Sequence, residues 1–169
     1  MPKVKCEFKE LRRLNRNLQI LSEDAEKVMK FSLYEGAKIA ADELRVSVDD
    51  LGRVSDAAAI QAWLTRTPSI ISVSQKNGLR AGLGISKMKV GPHLKIRLKV
   101  GFSGYNEVTT RRWPQGQPNV MIAASCEHGS SAMIEQPFIR PAYVRCAGRI
   151  KNQMEKTAKK EISKILDEI

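Results

Sequence analysis

Two prolines four residues apart, Pro137 and Pro141, constrain this chain more than any other feature. They lie in residues 127–142, EHGSSAMIEQPFIRPA. Each fixes φ and removes a backbone donor, so no strand or helix interior can contain residues 136–140. Pro141 suits the first turn of a helix, where its missing N–H would have had no partner. Phe138 and Ile139 between the prolines are apolar and read as buried. The stretch therefore predicts a strand end, a polar turn at Gly129, a rigid elbow and a helix start. Glu127 is the acid of the elbow, and an ion pair with Arg140 would tie the two ends together. The elbow would set the angle at which a terminal helix leaves a small sheet.

Helical periodicity dominates both ends. Phe8, Leu11, Leu14, Leu18 and Leu21 recur every three or four residues, the spacing of an amphipathic helix. Ser22 reads as an N-cap, with Glu23 and Asp24 where a helix dipole favours acids. The apolar face continues through Val28, Leu33, Ala37, Ala41 and Leu44. The pattern predicts two consecutive helices, or one kinked helix, ending near Arg45. Residues 3–8 read as a short edge strand or a lead-in, and 46–54 as a turn. Ser55 and Asp56 start a short helix through Ile60, Trp63 and Leu64, ahead of Pro68. At the other end, Tyr143, Ala147, Ile150, Met154, Ala158, Ile162, Ile165 and Ile169 form one stripe. A helix from 141 to 168 would be about 40 Å long, more than a three-stranded sheet can cover. Part of its stripe is then left for another subunit.

The middle reads as sheet. Residues 75–78 look like a turn. Leu79, Ala81, Leu83 and Ile85 alternate with small or polar residues. Leu94, Ile96, Leu98 and Val100 alternate with Lys95, Arg97 and Lys99, the period of a strand. The linker SKMKVGP, with breakers at Gly91 and Pro92, predicts an antiparallel hairpin with a cationic outer face. Residues 101–119 form a long irregular loop holding Tyr105, Arg111, Arg112 and Trp113. Loops beyond about 12–15 residues in compact domains are usually functional or disordered. A third strand over 120–126 leads into the elbow. The fold class is α+β: a small, mainly antiparallel sheet of three to four strands, packed by long N-terminal helices and a long C-terminal helix. Residues 1–169 read as a single domain.

The formal net charge is +11, and its distribution matters more than its size. Within 70–117, nine basic residues face one acid, Glu107. Lys87, Lys89, Lys95, Arg97, Lys99, Arg111 and Arg112 form a candidate basic surface for an acidic partner or for DNA. A solvated strand face reads the same way. Tyr105 and Trp113 are candidate interface aromatics of the loop.

Catalytic chemistry is not expected. Cys126, Glu127, His128 and the serines behind them sit close in sequence, but a buried thiol and a turn histidine account for them as well. The three cysteines, Cys6, Cys126 and Cys146, are far apart and make no metal-ligand spacing. Free thiols in a reducing compartment are expected, with no metal and no cofactor. Gly78, Gly82 and Gly84 lack the following Lys-Ser or Lys-Thr of a phosphate loop and read as close backbone approaches. No apolar run approaches the ~18 residues of a membrane span, and the N-terminal residues do not resemble a signal peptide. The protein is expected to be made and kept in a cytoplasm.

The elbow also carries a resemblance. A strand ending in Glu-x-Gly-(Ser/Thr), a short spacer, then Pro-Phe-x-x-Pro-Ala and a long charged helix resembles the tailed-phage neck or tail-completion proteins, also described as head–tail joining or minor structural proteins. The matching residues are Glu127, Gly129, Ser130, Pro137, Phe138, Arg140, Pro141 and Ala142. The family strand usually carries an aromatic before the Glu, where this chain has Ala123, Ala124, Ser125 and Cys126. The resemblance implies a virion structural protein and no enzyme. It would complete the tail end or join the tail to the head connector as a ring subunit, commonly sixfold. Its implied partners are copies of itself, connector or adaptor proteins, and tail-tube or tail-terminator proteins. Non-specific contact with passing DNA is also implied, and no membrane. The residues themselves leave a second reading open, a basic nucleic-acid-binding module.

Overall fold

The computed structural model describes residues 9–92 and 95–167, with side chains from residue 24 onward. The strand expected over 3–8, Cys6, His93, Leu94 and Ile169 lie outside them. The architecture is α+β. The elements are α1 (Lys9–Asp50), α2 (Asp56–Leu64), α3 (Val73–Gly82), β1 (Leu83–Ile85), β2 (Lys89–Gly91), β3 (Lys95–Arg97), β4 (Val100–Phe102), α4 (Asn119–His128) and α5 (Ile139–Asp167).

α1 is one helix, where two helices or a kink ending near Arg45 were expected. It runs through Ser22 without a break, because no proline follows to stop the helix that precedes it. It also runs past Arg45, where a turn was expected. Ser47 and Val48 are buried there, so packing holds the last turn in helical form. α5 lies antiparallel along α1, with Glu43 beside Arg145 and Arg149, and Gly36 beside Ile150 and Met154. Val28, Ser32, Gly36, Ala37, Ala41 and Leu44 form the buried seam of α1. Small residues allow the close approach. A Cβ on Gly36 would stand 2.8 Å from Met154 Cγ. The long C-terminal helix is thus covered by α1, not by the sheet. Its stripe is only half-buried at Ala147, Ile150, Met154, Ala158 and Ile165, and Tyr143 and Ile162 are exposed. Ala142 and Cys146 are its buried residues.

Four antiparallel strands form two two-stranded pieces along one hairpin. β1 pairs β4 with Leu83 opposite Phe102, and β2 pairs β3 with Lys89 opposite Arg97. Between the pieces one arm carries residues 86–88 and the other only 98–99. The unequal arms act as a bulge, which interrupts pairing and bends the ribbon. Ser86 spans it: its N–H donates to the Lys99 carbonyl at 2.8 Å, and its Oγ accepts from Lys99 N–H at 2.9 Å. β1 and β4 rest against α1, whereas β2 and β3 pair mainly with each other.

Two expected strands are helices. The strand expected over 79–85 begins only at Leu83, and the turn expected over 75–78 is helical, because α3 occupies 73–82. Ser72 Oγ accepts from Gln75 N–H, and the Gln75 side chain accepts from Ser72 N–H. This capping box fixes the helix start. The strand expected over 120–126 is α4. Its buried residues, Asn119, Ile122, Ala123 and Cys126, follow helical spacing. A short continuous apolar run does not distinguish a strand from a buried helix, and the alanines and Met121 favour helix.

The core forms where the end of α1, α3, α4 and the start of α5 meet. Val48, Leu51, Ile71, Leu79, Ile122, Cys126, Met133 and Phe138 build it. Leu44, Leu83 and Ala142 form a second cluster, and Phe102 and Ile139 pack against both. Among the described residues one cation is internal. Lys76, part of the basic excess of the middle, is buried. Its ammonium donates to the carbonyls of Asp49 and Leu51, each at 2.7 Å. α1 ends in two acids, Asp49 and Asp50, which oppose the negative end of its dipole. Lys76, with Arg80 at 3.4 Å from Asp49, supplies the positive charge that this end needs.

Candidate assembly interface

The elbow is built on one carboxylate. Glu127 Oε2 accepts from the N–H groups of Phe138 and Ile139, each at 2.7 Å, and Oε1 from Arg140 N–H at 3.0 Å. A helix leaves four N-terminal N–H groups without partners. Here three go to Glu127, and the fourth position is Pro141, which has none. The next amide, Ala142, makes the first helical bond to Phe138 O. Every donor at the start of α5 is accounted for.

The expected Glu127–Arg140 ion pair is therefore replaced by a contact to the Arg140 backbone. The expected strand end is the end of α4. Burial alone would raise the Glu127 carboxyl. The N–H groups of Ile139, Arg140 and Phe138 outweigh it and hold the group below the ordinary range.

The rest of the elbow is tied down as tightly. Gly129 ends α4 at φ 71°, a conformation that glycine takes without steric cost. Ser130 and Met133 exchange backbone hydrogen bonds, and Gln136 N–H donates to Cys126 O at 2.7 Å. Ser69 N–H donates to Ala132 O, and Ile134 N–H to Ser69 O, which fastens the turn to the segment before α3. Phe138 is 3% exposed, and its ring meets Phe102 at 5.8 Å between centroids. Pro137 and Arg140 are exposed, and Ala142 is buried. A cleft of about 240 Å³ runs beside the elbow between Leu51, Gly52, Gln136 and Pro141.

The thiol chemistry considered for Cys126 has no geometry behind it. Burial, helped by the charge of Glu127, pushes this thiol up to about 12. Its sulfur contacts Met133 Sδ at 3.5 Å, while His128 is exposed at the helix end. Cys146 is also buried and free. Among the described residues no group of His, Cys, Asp and Glu could hold a metal ion. No helix of the described residues is long and apolar enough to cross a membrane.

The basic candidates Lys87, Lys89, Lys95, Arg97, Lys99, Arg111 and Arg112 are all exposed. Arg112 stands over the Trp113 ring at 5.5 Å, and Trp113 is half-buried. Tyr105 is 62% exposed. The loop between β4 and α4 is irregular yet well bonded to itself. Asn106 N–H donates to Gln117 O, and Gln117 N–H to Val108 O. The buried Asn119 closes its base, with its amide on Ser103 O at 2.8 Å. Gly82 and Gly116 admit this packing. A Cβ on Gly82 would stand 2.2 Å from Ser103 O, and one on Gly116 1.9 Å from Asn106 O.

One surface was not singled out from the sequence. α2 buries no residue, yet Ile60, Trp63 and Leu64 share one side of it at 58%, 71% and 62% exposure. The available signal was the apolar i, i+3, i+4 spacing in a helix too short to need a core of its own. Asp56 anchors this helix by accepting from Ser74 N–H and Oγ. Compared with family models, curated proteins and solved structures, the chain matches none of them.

Proposed function

We propose that this chain is a non-enzymatic structural subunit of a tailed-phage neck. Copies of it form a homo-oligomeric ring, expected to be a hexamer, that completes the tail end or joins the tail to the head connector. It is assembled in the bacterial cytoplasm and resides in the virion. Its neighbours are its own copies, the connector or adaptor proteins, and tail-tube or tail-terminator proteins.

The observation that carries this reading is the Glu127 cap on α5. The residues that resemble the neck family converge on one junction. Glu127 bonds the helix start, Gly129 turns the chain, Phe138 fills the core, and Pro141 removes the donor that the carboxylate does not reach. The junction fixes a long helix pair at a set angle to a small body. Rigid shape of this kind serves assembly, since interfaces between pre-organised surfaces lose less ordering entropy. The uncovered apolar side of α2 and the exposed Tyr105, Tyr143 and Val144 give such a body surfaces to bury.

Native mass spectrometry and negative-stain imaging of the purified protein, alone and with tail tubes, test the proposal. Closed rings, or attachment to tube ends, are expected. A monomer at every concentration that never attaches to tails or connectors would overturn it.

A further inference from the structure

We infer that the cationic face of the β2–β3 ribbon is a contact surface for the phosphate backbone of double-stranded nucleic acid. This goes beyond the assembly reading and does not depend on it. Residues paired across a ribbon share a face, as do residues two apart on one strand. Lys89 is opposite Arg97, and Lys95 is opposite Gly91. Lys89, Lys95 and Arg97 therefore project from one side, with Val90 and Ile96 on the other. Lys87 and Lys99 flank them at the bulge, and all five cations are exposed.

The charge has no answer within the described residues. No Asp or Glu occurs between Asp56 and Glu107, and among the described residues no ion pair involves any of the five. Several cations along the long helices have acids one turn away. Lys30 pairs with Glu26, Lys38 with Glu35, Arg45 with Asp42 and Lys164 with Glu161. Like charges directly opposite each other weaken a strand pair, so the Lys89–Arg97 register costs the hairpin stability unless an anion lies over it. The two strands are also open to one, because β2 and β3 pair mainly with each other. A two-stranded ribbon fits the width of a duplex groove. Among the described residues the cationic side carries no Phe, Tyr or Trp on which unpaired bases could stack, which favours a duplex over a single strand. The contacts expected are to phosphates, without base readout.

The test is binding of fluorescent 30-base-pair duplexes of two unrelated sequences, followed by anisotropy at about 50–200 mM salt, the range over which phosphate contacts change affinity most visibly. Both duplexes should bind alike, with affinity falling steeply as salt rises. The triple variant K89A/K95A/R97A should flatten the slope of log K against log salt by about 2 to 3 units, since each phosphate contact contributes about 0.9. The control K156A/K159A/K160A removes the same charge from the exposed side of α5 and should leave the slope nearly unchanged. Acetylation of the wild-type protein, which needs no variant, should be blocked by duplex at Lys89 and Lys95 but not at Lys156 and Lys159. No binding at low salt, an equal loss in both triples, or tighter binding of single strands would overturn the inference. So would displacement of the duplex by polyglutamate as readily as by unlabelled duplex, which would assign the surface to an acidic protein.

Discussion

The carboxylate of Glu127 caps the helix that begins twelve residues later, taking the Phe138 N–H at 2.7 Å. Through this contact the end of α4 and the start of α5 act as one rigid unit. The same oxygen also takes Ile139 N–H, so the geometry of α5 depends on a side chain outside it. Glu127→Ala should therefore destabilise the fold by about 1–3 kcal/mol, the range for leaving partly buried donors unsatisfied. Urea unfolding checks it. A loss no larger than that of Glu155→Ala, on the exposed side of α5, would show that the cap is dispensable.

The same cap predicts a pH dependence. The Glu127 carboxyl is lowered in the folded chain from an ordinary value of 4.5. A depressed carboxylate stabilises the fold fully above the unfolded value and loses that contribution as pH falls through the folded one. The stability gap between the wild type and Glu127→Gln should be constant above about pH 5 and narrow below pH 4.5. Urea midpoints measured from pH 7 to pH 3 would reveal this. A gap that widens on acidification would contradict the assignment.

Lys76 predicts a second sensitivity. Its ammonium holds the carbonyls of Asp49 and Leu51 at the end of α1. Lys76→Met keeps most of the stem's packing but leaves both acceptors without a partner beneath two acids. A loss of about 1–3 kcal/mol is expected, read as a lower urea midpoint. An unchanged midpoint would mean that water replaces the ammonium at no cost.

Two glycines separate close approach from mere flexibility. Gly82→Ala would drive a Cβ against the Ser103 carbonyl at 2.2 Å, whereas a Cβ at Gly84 would meet nothing within 4 Å. Gly82→Ala should cost about 1–3 kcal/mol, as overpacking does. Gly84→Ala should be neutral or slightly stabilising, because glycine weakens a strand interior. Thermal melts of the two variants side by side make the comparison.

The exposed side of α2 separates assembly from folding. Trp63 is 71% exposed, so Trp63→Ser should change monomer stability by no more than about 0.5 kcal/mol. Exposed aromatics of this kind are frequent anchors of interfaces. Light scattering should show fewer assembled copies for the variant than for the wild type at equal concentration. Equal assembly would place the contact elsewhere.

Buried thiols give a chemical check. Cys126 and Cys146 are both buried, and Cys126 is pushed up to about 12. Neither should react with a thiol reagent at pH 8 until the chain unfolds, because the thiolate is the reactive form. Rapid labelling of Cys126 in the folded protein would reopen the catalytic reading.

Periodicity, caps and breakers determined much of this molecule before any packing was known. The seam of α1, the limits of α2 with Ser55 as its cap, the alternation of Lys95, Ile96 and Arg97, and the proline elbow with buried Phe138 all follow from local chemistry. The capping box at Ser72 and Gln75 is an equally local signal, and it outweighs the strand-like alternation of Leu79, Ala81 and Leu83 in setting the start of α3. Tertiary structure alone decided three things. It made the apolar run before Glu127 a helix, because a short apolar run satisfies either geometry until its neighbours choose a face. It laid α5 along α1, because an apolar stripe records that a side is buried but not against what. It gave Glu127 to three backbone amides instead of a guanidinium, because which donors converge on a carboxylate depends on how two helix ends meet in space.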